Sequence, residues 1–180
     1  MINTHLLDKR QTYVCLEYGT GAISKAIQKL TKEYCPEAKR VPSHVFALVY
    51  ETGEWYVYES HMKPHSDPNL PSGCRRYSLD ILLDVFPDVY KGSEVYQIRL
   101  TKKTLRGLLG EPYGIGDIHE IFKARLKHRF AKKDRKGFIC SEYIARACYK
   151  IQRYFNLSPN QITPAHWLKY ILDNRITKVC

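Results

Sequence analysis

Apolar and polar residues follow two periods along this chain, and the switches between them mark its elements. In Gly21 to Tyr34, GAISKAIQKLTKEY, the residues Ile23, Ile27 and Leu30 recur at helical spacing, which predicts an amphipathic helix with Thr20 or Ser24 capping its start. Pro36 stops it. After Pro42 the run SHVFALVY is rich in β-branched and aromatic residues and reads as a strand. Thr52-Gly53 reads as a tight turn, and EWYVYES returns beyond it, so the two runs form a hairpin. The stretch TYVCLEYG around Cys15 reads as another strand.

From His61 to Gly73 three prolines and a glycine mark a long loop, a usual place for a binding surface. SLDILLDVF has the spacing of a short helix, Ser93 to Leu100 that of a strand, and LTKKTLRGLLG that of a helix closed by Gly110. In DIHEIFKARLKHRF an apolar stripe of Ile118, Ile121, Phe122, Leu126 and Phe130 predicts a helix with its basic residues outside. Phe138-Ile139-Cys140-Ser141-Glu142 opens a further helix, with Ile144, Ala147, Cys148, Ile151 and Tyr154 or Phe155 on one face and Ser141 as its cap. A last helix, Ala165 to Asn174, starts after Thr163-Pro164. The pattern is α+β: helices packed on a small, mostly antiparallel sheet, with residues 1–180 forming a single domain.

Composition narrows the setting. With 44% apolar residues among 180 the chain can bury a core, and no linker or internal repeat divides it. The first residues lack the apolar core of a signal peptide, and no run approaches the roughly 18 apolar residues of a membrane span, so a cytoplasmic protein is expected; a phage protein released by lysis reads the same way. In that compartment the six cysteines are expected to stay reduced. They contain no CxxC pair, and no metal or cofactor is called for. The formal charge is +11, and Lys123 to Lys136 concentrates it, with eight Lys or Arg against one Asp. That segment is either a contact for an anionic surface or a solvated helix face.

Chemistry concentrates at three positions. A cysteine attacks as thiolate, and a helix start favours the anion through its unpaired N–H groups; Cys140 alone among the six has that setting. The N–H groups there, including that of Ser141, can hold an oxyanion. A base and an orienting group come from the hairpin. With Thr52-Gly53 as a two-residue loop, Glu51 faces Glu54, Phe46 faces Glu59 and His44 faces His61, so His44, Phe46, Glu59 and His61 share one face. His44 and Glu59 are then diagonal neighbours about 7–8 Å apart at the backbone, within reach of a histidine–carboxylate bond.

In this order, PSHVFALVY, WYVYES, GEPYGIGDI, GFICSEYIARA and ITPAHW resemble the permuted branch of the NlpC-type papain-like hydrolases, the YiiX/YebB-like family. The resemblance spans about Leu16 to Trp167. It implies a circularly permuted papain-like fold with Cys140 as nucleophile, His44 as base, Glu59 orienting the imidazole and Tyr113 lining the cleft. It also implies an amide substrate, as in peptides, isopeptides or cell-wall cross-bridges, or an acyl ester. The chain departs from the family in having TYVCLEYG where a Gly-Asp strand usually stands. Three other readings compete: a basic module binding nucleic acid or an anionic lipid surface, a metal site using His61, His65 and a cysteine, and an inactive relative kept for binding.

Overall fold

The computed structural model describes residues 2–62, 72–85, 92–114 and 137–180. The expected helix over residues 117–130, the basic segment Lys123 to Lys136 and most of the proline-rich loop, His65 included, lie outside the described residues. In chain order the elements are β1 (Thr12–Glu17), α1 (Ala22–Thr31), β2 (His44–Glu51), β3 (Glu54–His61), β4 (Gly73–Ser78), α2 (Leu79–Val85), β5 (Glu94–Gln97), α3 (Lys102–Gly107), α4 (Cys140–Arg146), α5 (Tyr149–Phe155) and α6 (Pro164–Asp173). The strands form one open sheet in the order β4-β3-β2-β1-β5, and every neighbouring pair is antiparallel. The architecture is α+β.

The central strand β2 is a near-continuous apolar run because both faces of the sheet are covered. On one face Val14, Leu16, Val45, Ala47 and Tyr58 pack with Tyr143, Ile144, Ile151 and Trp167 of the C-terminal helices. On the other, Tyr13, Cys15, Phe46, Leu48 and Val57 pack with Leu79 and Leu82 of α2 and with Ile2 and Leu7. The sheet is thus the middle layer, and the end of β2 that carries His44 lies where α4 begins.

The hairpin register is set by its turn. Thr52 and Gly53 both have positive φ, +48° and +96°, the twist that a two-residue loop needs, and Glu51 pairs with Glu54 and Tyr50 with Trp55. At α6 the Thr163 N–H donates to His166 Nδ1 at 3.1 Å, which closes the start of the helix against Thr163-Pro164.

Four expectations need correction. Neither Thr20 nor Ser24 caps α1; Gly21 stands at the cap position with no side chain to offer, and Ser24 turns toward Gly19 instead. Ser141 does not cap α4 either: Ile139 is the cap residue, and Ser141 lies inside the first turn with its hydroxyl buried and without a hydrogen-bond partner. The helix expected to run on from Cys140 is two helices. Cys148 leaves helical geometry (φ −122°, ψ 86°), and Thr101 N–H takes the Ala147 carbonyl at 2.8 Å, so the chain bends while Ile144, Ala147, Cys148 and Ile151 all stay buried. Finally, β4 was not expected. It carries a buried arginine, Arg75, which disguises a largely buried edge strand as a polar stretch.

Candidate active site

His44 opens β2 and Glu59 lies near the end of β3, and the diagonal between them is spanned by side chains. His44 Nε2 donates to Glu59 Oε2 at 2.8 Å. The other residues of that face sit around the ring: Phe46 stacks at 6.1 Å between centroids, and His61 meets it edge-on at 5.1 Å. With Nε2 committed to Glu59, Nδ1 is the nitrogen left to exchange a proton. The Cys140 side chain lies close enough to this imidazole to act on its charge. The structure therefore brings together Cys140, His44 and Glu59, from α4, β2 and β3.

Glu59 is held from the side opposite His44 by groups that sequence reasoning did not single out. Arg75 donates to its Oε1 through Nε at 2.9 Å and Nη2 at 2.5 Å, and the Tyr77 hydroxyl donates to the same oxygen at 2.8 Å. Arg75 pairs with Glu59 directly across β3 and β4, and Tyr77 lies two residues along, so one face of β4 delivers both donors. The carboxylate is fully buried yet saturated with hydrogen bonds. Burial would raise its pKa, but the hydrogen bond and charge of His44, followed by the charges of His61 and Arg75, hold it well below the usual carboxylate range.

The imidazole shows the opposite balance. Burial would push His44 down; the charge and hydrogen bond of Cys140, and then those of Glu59, outweigh it and raise His44 well above its ordinary value. At His61 burial outweighs the charge of Glu59. Its Nδ1–H donates to the Met62 carbonyl, and burial keeps its pKa below the ordinary value. A further carboxylate borders the site: Glu17, at the end of β1, pairs with His44 across the sheet and is nearly buried. Burial raises its pKa against the pull of His44. Nothing in TYVCLEYG points to this role, because only the β1–β2 register places Glu17 there.

The other cysteines are set apart by environment. All six are free thiols. Burial pushes Cys15, Cys35 and Cys148 up, and Cys74 up to about 12, which leaves them as inert core groups. Cys140 is also buried, 5% exposed, but it occupies the first position of α4. Tyr143 N–H is the first to bond back into the helix, to Ile139 O at 3.0 Å, so the N–H groups of Cys140 and Ser141 precede the helical ladder, and no side chain caps them. The Ser141 carbonyl accepts from Trp167 Nε1 at 3.3 Å, which ties the turn to α6.

Tyr113 reaches the site through backbone packing. Phe138 N–H donates to Pro112 O at 2.9 Å and Gly114 N–H to Phe138 O at 3.2 Å, forming a parallel bridge that sets Tyr113 beside the start of α4. Gly137 permits the approach: its φ is +111°, and a Cβ there would fall 2.6 Å from Pro112 O. Tyr113, Cys140 and Ile139 form one wall of a cleft whose other walls are α1 and the start of α6.

Among the described residues no cluster of three or more His, Cys, Asp or Glu side chains is placed to hold a metal ion, and no helix is long and apolar enough to cross a membrane. Compared with known proteins, the chain matches no family model, and no curated protein matches it.

Proposed function

We propose that the protein is a cysteine hydrolase of the permuted papain-like type, cleaving an amide or ester bond through an acyl-enzyme on Cys140. The observation that carries this reading is the His44–Glu59 hydrogen bond at 2.8 Å beside Cys140, with the thiol at a helix start and the carboxylate fully buried. Cys140 Sγ attacks the carbonyl carbon while His44 Nδ1 takes the thiol proton. The oxyanion that forms is met by the N–H groups of Cys140 and Ser141. His44 then protonates the leaving group, and water, deprotonated by the same nitrogen, releases the acid. Glu59 keeps the proton on Nε2 and the ring in place throughout, as the third member of a triad does.

Chain order supports the permuted form of the fold: base and orienting residue on the hairpin precede the nucleophile helix. The six free thiols fit a reducing, cytoplasmic place of action. Lys123 to Lys136 would add a contact to an anionic surface.

The test is thiol-directed acyl probe labelling followed by peptide mass spectrometry on wild type, Cys140→Ala and His44→Ala. Labelling confined to Cys140 and reduced by at least about a hundredfold in His44→Ala is expected, in line with the typical contribution of a general base. Labelling indifferent to both substitutions would sink the enzyme reading.

A further inference from the structure

We propose that Glu17 is a positioning residue for this reaction, a second carboxylate beside His44 whose ionisation favours the Cys140 thiolate–His44 imidazolium pair and so readies the nucleophile. This rests on the Cys140 reading above. Glu17 ends β1 and pairs with His44, the first residue of β2, so the two side chains leave the sheet on one face. Only 6% of Glu17 is exposed. Ser43 gives its N–H, at 2.8 Å, and its hydroxyl, at 3.4 Å, to the Glu17 backbone carbonyl rather than to the carboxyl. Among the described residues nothing donates a hydrogen bond to that carboxyl; burial and the charges of His44 and Glu59 are what act on it. Glu59, by contrast, has Arg75 and Tyr77 on one oxygen and His44 on the other.

A buried carboxylate without donors stays charged only beside an opposite charge. Of the two charges acting on Glu17, that of Glu59 opposes its ionisation and that of His44 favours it. Coupling between two sites is reciprocal: an imidazolium at His44 favours carboxylate at Glu17, and a carboxylate at Glu17 favours imidazolium at His44. The groups coupled to Glu17 are His44 and Glu59, so its charge is felt at the ring rather than at the sulfur. Such a charge stabilises the imidazolium without opposing the thiolate to the same degree.

The step is a proton transfer. Glu17 gives its own proton to water as pH rises, the Cys140 thiol proton moves to His44 Nδ1, and the electron pair of the S–H bond stays on sulfur. Among the described residues the charged and titratable groups around Glu17 and the ring are His44 on β2, Glu59 and His61 on β3, Arg75 and Tyr77 on β4 and Cys140 on α4, with uncharged Ser24 at the start of α1. Burial moves Glu17 up from the carboxylate range and His61 down from the histidine range, so their steps converge and substitution must tell them apart.

The experiment follows alkylation of Cys140 by iodoacetamide, located by mass spectrometry, from about pH 4 to about pH 9 in wild type, Glu17→Gln, Glu17→Asp, His61→Gln and His44→Gln. In wild type the rate should rise through an acid step as Glu17 ionises. Glu17→Gln, which fixes the neutral form, should lose that step and fall roughly tenfold in rate at neutral pH. Glu17→Asp should keep the step, and so should His61→Gln. Carboxyl-carbon NMR, which needs no change at position 17, should find the Glu17 midpoint higher in His44→Gln than in wild type, because the favouring charge is gone. An unmoved midpoint, or an acid step that survives in Glu17→Gln, would overturn the role of Glu17 while the nucleophile stands. Alkylation of Cys140 as fast in His44→Gln as in wild type would remove the Cys140 reading as well.

Discussion

Glu59 accepts the Nε2 proton of His44 at 2.8 Å, across a diagonal of the hairpin rather than between paired residues. The consequence is an imidazole held between Glu59 on Nε2 and Cys140 on its other side. Burial acts against its charge, so the raised pKa of His44 is owed entirely to those partners. Nitrogen-detected NMR titration of the ring should place its midpoint above that of an ordinary histidine in wild type. In Cys140→Ala and in Glu59→Gln the midpoint should fall, further in the double variant. An unchanged midpoint in Cys140→Ala would contradict the contact.

Arg75 neutralises Glu59 from behind, and neither side chain reaches water. Removing one partner of a buried pair leaves the other charge uncompensated, at a cost of about 3–5 kcal/mol. Arg75→Ala should therefore lose stability on that scale in urea unfolding. Tyr77→Phe, which removes a single donor to the same oxygen, should cost about 1–3 kcal/mol. Equal, small losses in both would show that Arg75 is not the counter-charge.

Gly53 and Gly137 share a positive φ but differ in surroundings. At Gly53 a Cβ would meet open space, while at Gly137 it would strike the backbone of Pro112 and Tyr113. Gly53→Ala should cost about 1–2 kcal/mol from backbone strain alone. Gly137→Ala should cost more, and it should also slow Cys140 labelling, because Tyr113 and the start of α4 must move apart. Similar stability loss and normal labelling in Gly137→Ala would refute this account of the cleft wall.

His166 is neutral by construction: its Nδ1 accepts from Thr163, Tyr34 stacks on it at 4.3 Å, and burial lowers its pKa to about 4. Between that value and the ordinary histidine pKa the unfolded chain binds the extra proton, so stability is lost as pH falls through this window. From pH 7.5 to pH 5 the loss should be about 2 kcal/mol from this residue. His166→Gln should remove that part of the slope in urea titrations at the two pH values; an identical slope in both proteins would assign it elsewhere.

Much of the site was legible without coordinates because it depends on short-range rules. The Thr52-Gly53 turn sets the hairpin register, and register with a two-residue period is enough to put His44, Phe46, Glu59 and His61 on one face. The same local logic marked the start of α4 at Cys140 and the Thr163-Pro164 start of α6. Where local logic failed, a long-range contact had overridden it. Ser141 looks like a cap but faces the interior beneath Trp167. The break at Ala147–Cys148 is stabilised by Thr101, some fifty residues earlier in the chain.

By itself, then, the sequence determined the α+β class, the hairpin face and the three candidate positions, since turn type, alternation and helix-start chemistry are properties of neighbours in the chain. Tertiary structure alone decided that the Cys140 helix meets the His44 end of the sheet, that Arg75, Tyr77 and Glu17 surround the pair, and that α1 leaves its apolar stripe to a cleft. Those juxtapositions come from packing between segments far apart in sequence, where burial and charge pairing act between residues that no local pattern connects.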